Sequence, residues 1–173
     1  EDAAHAQTSQ TLSYTAGTIG DIACFSFFPT KVMTTGEGGM ITTNNKEYYE
    51  KIKSLKNFGR DNQNAGIIVN PDGNNFKVHE FTGLMGSLEC DRVISRVERR
   101  NILLNRYVEN LSDSNFKVIK QNEGRCSYYK CIVLSPYNTD ELKQFCKEHN
   151  ISLTGEVYKI PVHQQPLYSE KFD

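Results

Sequence analysis

The segment FSFFPTKVMTTGEGGM, from Phe25 to Met40, constrains the fold more than any other part of the chain. An apolar and aromatic run over residues 21–28 has the length of a buried strand, and residues 39–43 form a second short run. The glycines between the two runs allow a tight turn, so we predict two neighbouring core strands. Lys31 lies between these strands, where a lysine can be either a solvated charge or a reactive amine.

Beyond the glycine turn, the hydrophobic pattern alternates between helix and strand. Residues 46–58 show the spacing of an amphipathic helix capped by Asn44 or Asn45, and residues 59–75 have the composition of a long irregular loop. The remaining predicted elements are a long or broken helix over 79–111, strands over 116–119, 127–134 and 151–157, and a helix over 139–149 with Thr139 as its N-cap. The change of pattern predicts a domain boundary near residue 112.

Composition and charge narrow the classes of partner. The 173 residues carry 20 Lys and Arg against 21 Asp and Glu, so the net charge of −1 gives no electrostatic basis for binding nucleic acid. No window approaches the roughly 20 apolar residues of a membrane helix, which favours a cytoplasmic protein without a membrane partner. The five cysteines include no C-x-x-C pair and the four histidines have no ligand spacing. We therefore predict buried, reduced thiols and no metal site.

Four polar residues stand out near the predicted strands, namely Asp2, His5, Ser26 and Lys31. Taken singly, each has a structural explanation: Asp2 as a turn cap, His5 as a packed edge residue and Lys31 as a surface charge. Taken together, they supply an anion, an aromatic ring, a hydroxyl for a phosphate and an amine nucleophile. The combination is harder to explain by structure alone.

The motifs that contain these residues are EDAAHA, at the start of the chain, and GD-x-x-x-F-S-F-x-x-x-K-x-x-T-x-G-E-G-G-M, over residues 20–40. They resemble the core signature of the DegT/DnrJ/EryC1/StrS aminotransferases, which are pyridoxal-phosphate enzymes acting mostly on nucleotide-linked keto sugars. The segments GNNFKVHEFTGLMGSLE, over residues 73–89, and VYKIPVHQQPLY, over residues 157–168, extend the resemblance over nearly the whole chain.

The resemblance implies an α/β fold of the aspartate aminotransferase-like type, fold type I of the pyridoxal-phosphate-dependent transferases. Family members are considerably longer, so we expect this chain to be a partial version of that fold. Residues 1–112 are then the C-terminal part of the cofactor-binding large domain, with a mixed sheet. Residues 113–173 are an incomplete small α+β domain.

The resemblance also implies a role for each residue around the first strand. Lys31 is expected to form an internal aldimine with pyridoxal phosphate and to carry the proton between substrate and cofactor as general acid and base. Asp2 is expected to pair with the pyridine nitrogen and so make the ring an electron sink. His5 corresponds to a residue that contacts the cofactor ring, and Ser26 to one that donates to the phosphate.

Three residues further along the chain complete the expected site. Asn75 resembles the asparagine that reaches the cofactor phosphate of a neighbouring subunit, which implies a homodimer with shared active sites. Lys77 stands where an arginine is commoner, and His163 matches a position near the mouth of the substrate site. We therefore expect both to bind substrate, although a lysine cannot reproduce the two-pronged contact of an arginine.

The function implied is transfer of an amino group from glutamate or glutamine to a nucleotide-linked keto sugar. A related class, the sugar dehydratases, is disfavoured because those relatives carry a histidine in place of Lys31. One alternative left open is a non-catalytic fragment or regulatory relative that binds a cofactor or a partner chain. The other is an aminotransferase that accepts a cyclitol or another small ketone.

Overall fold

The computed structural model of the chain describes residues 1–64, 66–153, 158 and 160–169. Contacts between residues divide the chain into two compact units, Glu1–Val133 and Leu134–Asp173. This division falls further along the chain than the predicted boundary near residue 112. The two units are defined by contacts within this chain alone. The assignment of residues 1–112 to a large domain and of residues 113–173 to a small domain therefore stays a prediction.

The first unit is organised around a short mixed sheet. Strands β1 (Ala23–Ser26) and β2 (Gly39–Thr42) pair antiparallel, from Ala23 opposite Thr42 to Ser26 opposite Gly39. The N-terminus runs parallel to β1, because Cys24 N donates to Glu1 O at 3.0 Å and Ala3 N donates to Cys24 O at 2.9 Å. Both predicted strands are confirmed, the first at half its predicted length and the second one residue shorter. The parallel pairing places Asp2 directly beside β1.

Two helices complete the framework of the first unit. Helix α1 (Lys46–Leu55) begins at the predicted cap, where Asn45 Oδ1 accepts hydrogen bonds from Glu47 N at 2.8 Å and Tyr48 N at 3.2 Å. The helix ends at Leu55, before the predicted residue 58, because Asn57 pairs with Asn75 through the backbone and Phe58 has a non-helical φ of +61°. Helix α2 (Glu80–Asn110) is continuous over 31 residues and is capped by His79.

The buried core lies between α2 and the chain that follows Lys31. Val32 and Met33 pack against Val93 and Val97 of α2, with Phe27 and Tyr129 at the margin of the cluster. Close packing of this kind restrains the backbone on both sides of a contact. The residue next to the candidate reactive lysine is therefore anchored to the longest helix of the unit.

A partly buried ion pair on α2, in which Glu89 is buried and the Arg96 side chain is 40% exposed, reinforces this anchor. Arg96 Nη2 donates to Glu89 Oε1 at 2.8 Å, Arg96 Nη1 contacts Glu89 Oε2, and Nη1 also donates to Val32 O at 3.3 Å. Hydrogen bonding to Arg96 is the largest cause that lowers the pKa of Glu89 from its ordinary value of 4.5. Burial of Glu89 opposes this shift.

Replacement of Glu89 by glutamine is expected to lower the free energy of unfolding at pH 7 by about 1–2 kcal/mol. This loss lies between that measured for exposed ion pairs and that for buried hydrogen bonds to charged groups, because Glu89 is buried and Arg96 is partly exposed. Because the pKa of Glu89 is lowered in the folded state, its contribution is complete above pH 4.5 and disappears as the pH falls further. Denaturant unfolding of both proteins between pH 7 and pH 3 measures this difference. The exposed Glu98→Gln change on the same helix is the control, and an equal loss there would contradict a specific role of Glu89.

The remaining elements are short. Strands β3 (Lys117–Val118) and β4 (Val133–Leu134) pair with each other. The predicted strand over 127–134 is wrong except for its last two residues, because Tyr128 has a φ of +42° and interrupts an extended chain. In the second unit, helix α3 (Thr139–Glu148) is capped by Asn138 rather than by Thr139. A 3₁₀ turn (Val162–Gln164) and helix α4 (Pro166–Ser169) follow.

Some expectations on loops and thiols need correction. Residues 151–153 form no strand, and the rest of the strand expected to reach residue 157 lies outside the described residues. All five cysteines are free, but Cys24, Cys90 and Cys131 are exposed, because these positions lie outside the buried core between α2 and the chain after Lys31. No helix within the described residues is both long and apolar enough to cross a membrane.

Candidate active site

Lys31 is held in a tight loop between β1 and the core. Its backbone N donates to Phe28 O at 2.9 Å, and the next two residues, Val32 and Met33, are buried. The loop closes on Phe27, whose carbonyl accepts from Thr34 Oγ1 at 2.9 Å and from Thr35 N at 3.0 Å. The side chain of Lys31 is half-buried, so its base is fixed while its amine remains accessible.

The glycine turn closes the same loop from the other side. Gly36 and Gly38 have φ values of +79° and +143°, which side chains with a Cβ rarely adopt. Thr35 Oγ1 donates to Glu37 O at 2.8 Å, and Phe27 N donates to Gly38 O at 2.9 Å. The glycines are therefore needed to return the chain from Lys31 to β2.

Asp2 and His5 line one open cavity of about 390 Å³, together with Ser9, Gln121 and Cys126. Asp2 Oδ1 accepts a hydrogen bond from Ala4 N at 3.0 Å, which fixes the carboxylate. Burial is the main cause that lowers the pKa of His5 from 6.5, and the positive charge of Lys31 lowers it further, whereas Asp2 raises it. Lys31 and Asp2 are thus both close enough to His5 to influence its charge.

Ser26 lies at the end of β1, five positions before Lys31 in the sequence, and its Oγ accepts from Phe28 N at 3.4 Å. Its carbonyl accepts from Gln7 Nε2 at 2.6 Å, and the same amide donates to Ala4 O at 3.3 Å. Gln7 is buried and connects the segment of Asp2 and His5 to the end of β1. This role of Gln7 could not be predicted from the sequence, because both acceptors are backbone carbonyls.

Asn75 and Lys77 form a second cluster next to the end of α1. Asn75 pairs with Asn57 through the backbone, and Lys77 Nζ donates to Asn57 Oδ1 at 3.1 Å. The ammonium of Lys77 also lies 4.4 Å from the centroid of the Phe58 ring. His163 is exposed in the 3₁₀ turn of the second unit. Neither Asn75 nor Lys77 lines the cavity of Asp2 and His5.

Tyr129 is a residue of this site that the sequence did not reveal. Its ring contacts the imidazole of His5 at a centroid distance of 4.2 Å, and the ammonium of Lys31 lies 4.8 Å from the ring centroid. The sequence shows two adjacent tyrosines, Tyr128 and Tyr129, within a predicted strand. It does not show the turn at Tyr128 that brings the ring of Tyr129 next to His5 and Lys31. Within the described residues, no group of three or more His, Cys, Asp or Glu side chains could hold a metal ion.

Comparison with known proteins agrees with this geometry. The model of the DegT/DnrJ/EryC1/StrS aminotransferase family matches residues 1–173, the whole of the chain. The chain belongs to this family. The resemblance predicted from the motifs around Asp2 and Lys31 is therefore confirmed.

Individual members of the DegT/DnrJ/EryC1/StrS family show the extent of the match. The chain is 29% identical to GDP-perosamine synthase of Escherichia coli O157:H7 over 180 residues, 99% of this chain and 47% of that protein. It is 34% identical over 148 residues to dTDP-4-amino-4,6-dideoxy-D-glucose transaminase of Shigella dysenteriae, 82% of this chain and 39% of that protein. The chain spans about half the length of the curated relatives it matches.

A solved structure identifies the fold. Spr1654 from Streptococcus pneumoniae, in its PLP form, superposes with a TM-score of 0.83 at 24% identity, covering 98% of this chain and 45% of that one. The chain therefore has part of fold type I of the pyridoxal-phosphate-dependent transferases, as predicted. The mixed sheet of β1, β2 and the N-terminal segment belongs to that fold.

Proposed function

We propose that the full-length protein is a cytoplasmic, pyridoxal-phosphate-dependent aminotransferase of nucleotide-linked keto sugars, with glutamate or glutamine as the amino donor. The observation that carries this proposal is that Asp2 and His5 line one cavity and that Lys31 lies next to the Tyr129 ring, which also contacts His5. Membership of an aminotransferase family and a fold shared with Spr1654 in its PLP form support the choice of cofactor. Five free cysteines agree with a reducing compartment.

The residues of the candidate site fit this cofactor by their chemistry. Pyridoxal phosphate, when bound, supplies an aldehyde that reacts with amines and a ring that withdraws electrons from the substrate carbon. Lys31 is the amine that we propose to bind the aldehyde, and once free it can hold and return the proton of the substrate carbon. The carboxylate of Asp2 would hold the ring nitrogen protonated, and Ser26 Oγ would donate to the phosphate.

His5 can contribute a flat and largely uncharged surface. Because the pKa of His5 is lowered, its imidazole is mostly neutral at pH 7. This holds although the acidic Asp2 and the basic Lys31 both act on the ring. A neutral ring adds no repulsion to the ammonium of Lys31. We propose that His5 contacts the face of the cofactor ring.

The proposed substrate class rests on the named relatives. One is a GDP-perosamine synthase and the other a transaminase of a dTDP-linked amino sugar, and both match this chain over most of its length. We propose Lys77 and His163 as substrate-binding residues, since each carries a group that can contact a phosphate or a sugar hydroxyl.

Incubation of the full-length protein with pyridoxal phosphate, glutamate or glutamine, and a panel of keto substrates tests the proposal. Mass spectrometry is expected to detect an amino sugar nucleotide and the corresponding 2-oxo acid. Conversion of a cyclitol ketone, without conversion of any nucleotide sugar, would favour the small-ketone alternative. Cofactor binding without any product would favour a non-catalytic relative.

We also propose that the protein acts as a homodimer, in which Asn75 reaches the cofactor phosphate of the second subunit. Its exposed position beside the end of α1 leaves the Asn75 side chain available for a partner. The start of α2 adds an apolar face, because Phe81, Leu84, Met85 and Leu88 are all exposed at helical spacing. Sedimentation of the full-length protein is expected to give a dimer, and a fully active monomer would contradict shared sites.

A further inference from the structure

We propose that Tyr129 is a positioning residue for Lys31, a role that rests on the proposed function of Lys31 as the cofactor lysine. The ammonium of Lys31 lies 4.8 Å from the centroid of the Tyr129 ring. An aromatic face attracts a cation at this distance through the negative charge of its π system. The ring therefore gives the flexible lysine side chain a fixed resting position beside His5.

The ring of Tyr129 is itself held from several sides. Its hydroxyl shares a hydrogen bond of 2.7 Å with Thr30 Oγ1, in the residue immediately before Lys31. Its face contacts the imidazole of His5 at 4.2 Å, with an angle of 36° between the rings. The buried Ser127 fastens the same segment, because its Oγ donates to His5 O at 2.7 Å and its N donates to Ser9 Oγ at 2.9 Å.

The backbone immediately before Tyr129 has an unusual conformation that is held by a side chain of α2. Tyr128 has a φ of +42°, a left-handed value that a bulky residue adopts only when its surroundings require it. Arg100 of α2 supplies that requirement, because its Nη1 donates to Tyr128 O at 3.0 Å and to Tyr129 O at 3.3 Å. The strained turn directs the Tyr129 ring toward Lys31 instead of along a strand.

Two cations share the ring of Tyr129. The ammonium of Lys130 lies 5.2 Å from its centroid, slightly further than that of Lys31. Both positive charges, together with burial, lower the pKa of His5, whereas the negative charge of Asp2 raises it. Loss of the Tyr129 ring would therefore change the surroundings of both Lys31 and His5. The reactivity of the Lys31 amine and the titration of His5 can each be measured without a cofactor.

The first readout is chemical labelling of lysine amines in the cofactor-free, full-length protein. Labelling with acetic anhydride at fixed pH is quantified for each lysine by mass spectrometry. Tyr129→Leu is expected to raise the labelling rate of Lys31 about two- to fivefold, the ratio that corresponds to 0.5–1 kcal/mol for an exposed cation–π contact. Tyr129→Phe keeps the aromatic face and is expected to leave the rate within about twofold of the unmodified protein.

A second cation–π pair provides a matched control. Lys53 lies 5.8 Å from the centroid of the Tyr49 ring on α1. Tyr49→Leu removes a ring of the same kind and is expected to leave the labelling of Lys31 unchanged. Thr30→Val, which removes only the hydroxyl partner of Tyr129, keeps the test informative if Tyr129→Leu does not fold. It is expected to raise the labelling of Lys31 in the same direction, but by less.

The second readout is the titration of His5 followed by NMR. Tyr129→Leu is expected to raise the pKa of His5 toward 6.5, because it removes part of the burial that lowers it. Unchanged labelling of Lys31 in both Tyr129→Leu and Thr30→Val would overturn the proposal. Equal effects of Tyr129→Phe and Tyr129→Leu on the labelling would also overturn it, because the aromatic face would then have no part.

These results are separable from a failure of the proposed function. Borohydride reduction in the presence of pyridoxal phosphate asks whether Lys31 binds the cofactor. A reduced adduct on Lys31 with unchanged labelling in the Tyr129 variants would leave the function intact and remove the positioning role. Altered labelling without any adduct would confirm the contact between Tyr129 and Lys31 and contradict the role of Lys31 as the cofactor lysine.

Discussion

Replacement of Lys31 by alanine is expected to lower the rate of amino transfer by at least about a thousandfold. The change removes the proposed covalent anchor of the cofactor and also the group that moves the substrate proton, a step that alone contributes about 10²–10⁴. Single-turnover measurement of amino sugar formation by the full-length protein gives this rate. The protein should still fold, because the neighbours of Lys31 that pack in the core are unchanged.

Two control variants separate the chemistry of Lys31 from its charge. Lys31→Arg keeps the positive charge and the contact with Tyr129 but has no amine that can bond to an aldehyde, so it should be as inactive as alanine. Lys130→Ala removes the neighbouring cation on the same ring and should change the rate no more than about fivefold, the effect of one cation–π contact. Substantial turnover by Lys31→Arg would show that the residue acts only through its charge.

Replacement of Asp2 by asparagine is the second large expected effect, a fall in kcat of roughly 10²–10³, as is typical when one preorganised electrostatic partner of the reacting group is removed. Asparagine retains an oxygen that can accept the hydrogen bond from Ala4 N, now 3.0 Å from Asp2 Oδ1. The fold should therefore be preserved, while the negative charge that keeps the ring nitrogen protonated is lost. Steady-state kinetics and thermal unfolding of the same samples measure the two effects separately.

The matched control for Asp2 is Asp21→Asn, an exposed aspartate in the turn before β1. It changes the net charge by the same amount and should leave kcat within about twofold, as expected for a screened surface charge. A similar loss of activity in both variants, or an Asp2→Asn variant that is merely unstable, would contradict the proposed pairing of Asp2 with the cofactor ring.

The elements that were predicted correctly are those whose sequence pattern follows local physics. The apolar strand before Lys31 and the glycine turn after it predicted the β1–β2 pair, and the cap at Asn45 predicted the start of α1. Helix ends were less predictable. Helix α1 stops at Leu55, short of the left-handed Phe58, and Asn138 caps α3 in place of the adjacent Thr139, although either side chain could have accepted the bonds.

In the candidate site, the residues of a short sequence motif were predicted, whereas residues brought in by contacts distant in the sequence were not. Asp2, His5 and Lys31 were predicted from a family motif; Asp2 and His5 line one cavity, and Lys31 lies beside the Tyr129 ring that contacts His5. Tyr129 was missed because its hydroxyl meets Thr30 across 99 positions of the sequence, and Ser127 meets His5 across 122. Hydrophobic periodicity contains no information about contacts at such separations. The left-handed conformation at Tyr128 was also not predictable, because such conformations are usually marked in a sequence by glycine.

The most direct test of the account is to locate the lysine that binds the cofactor. The full-length protein is loaded with pyridoxal phosphate and reduced with borohydride, and its peptides are analysed by mass spectrometry. The account predicts a reduced pyridoxyl adduct on Lys31, absent from Lys31→Ala and Lys31→Arg and retained in Lys130→Ala. No adduct, or an adduct confined to another lysine such as Lys130, would contradict the central claim that Lys31 is the cofactor lysine.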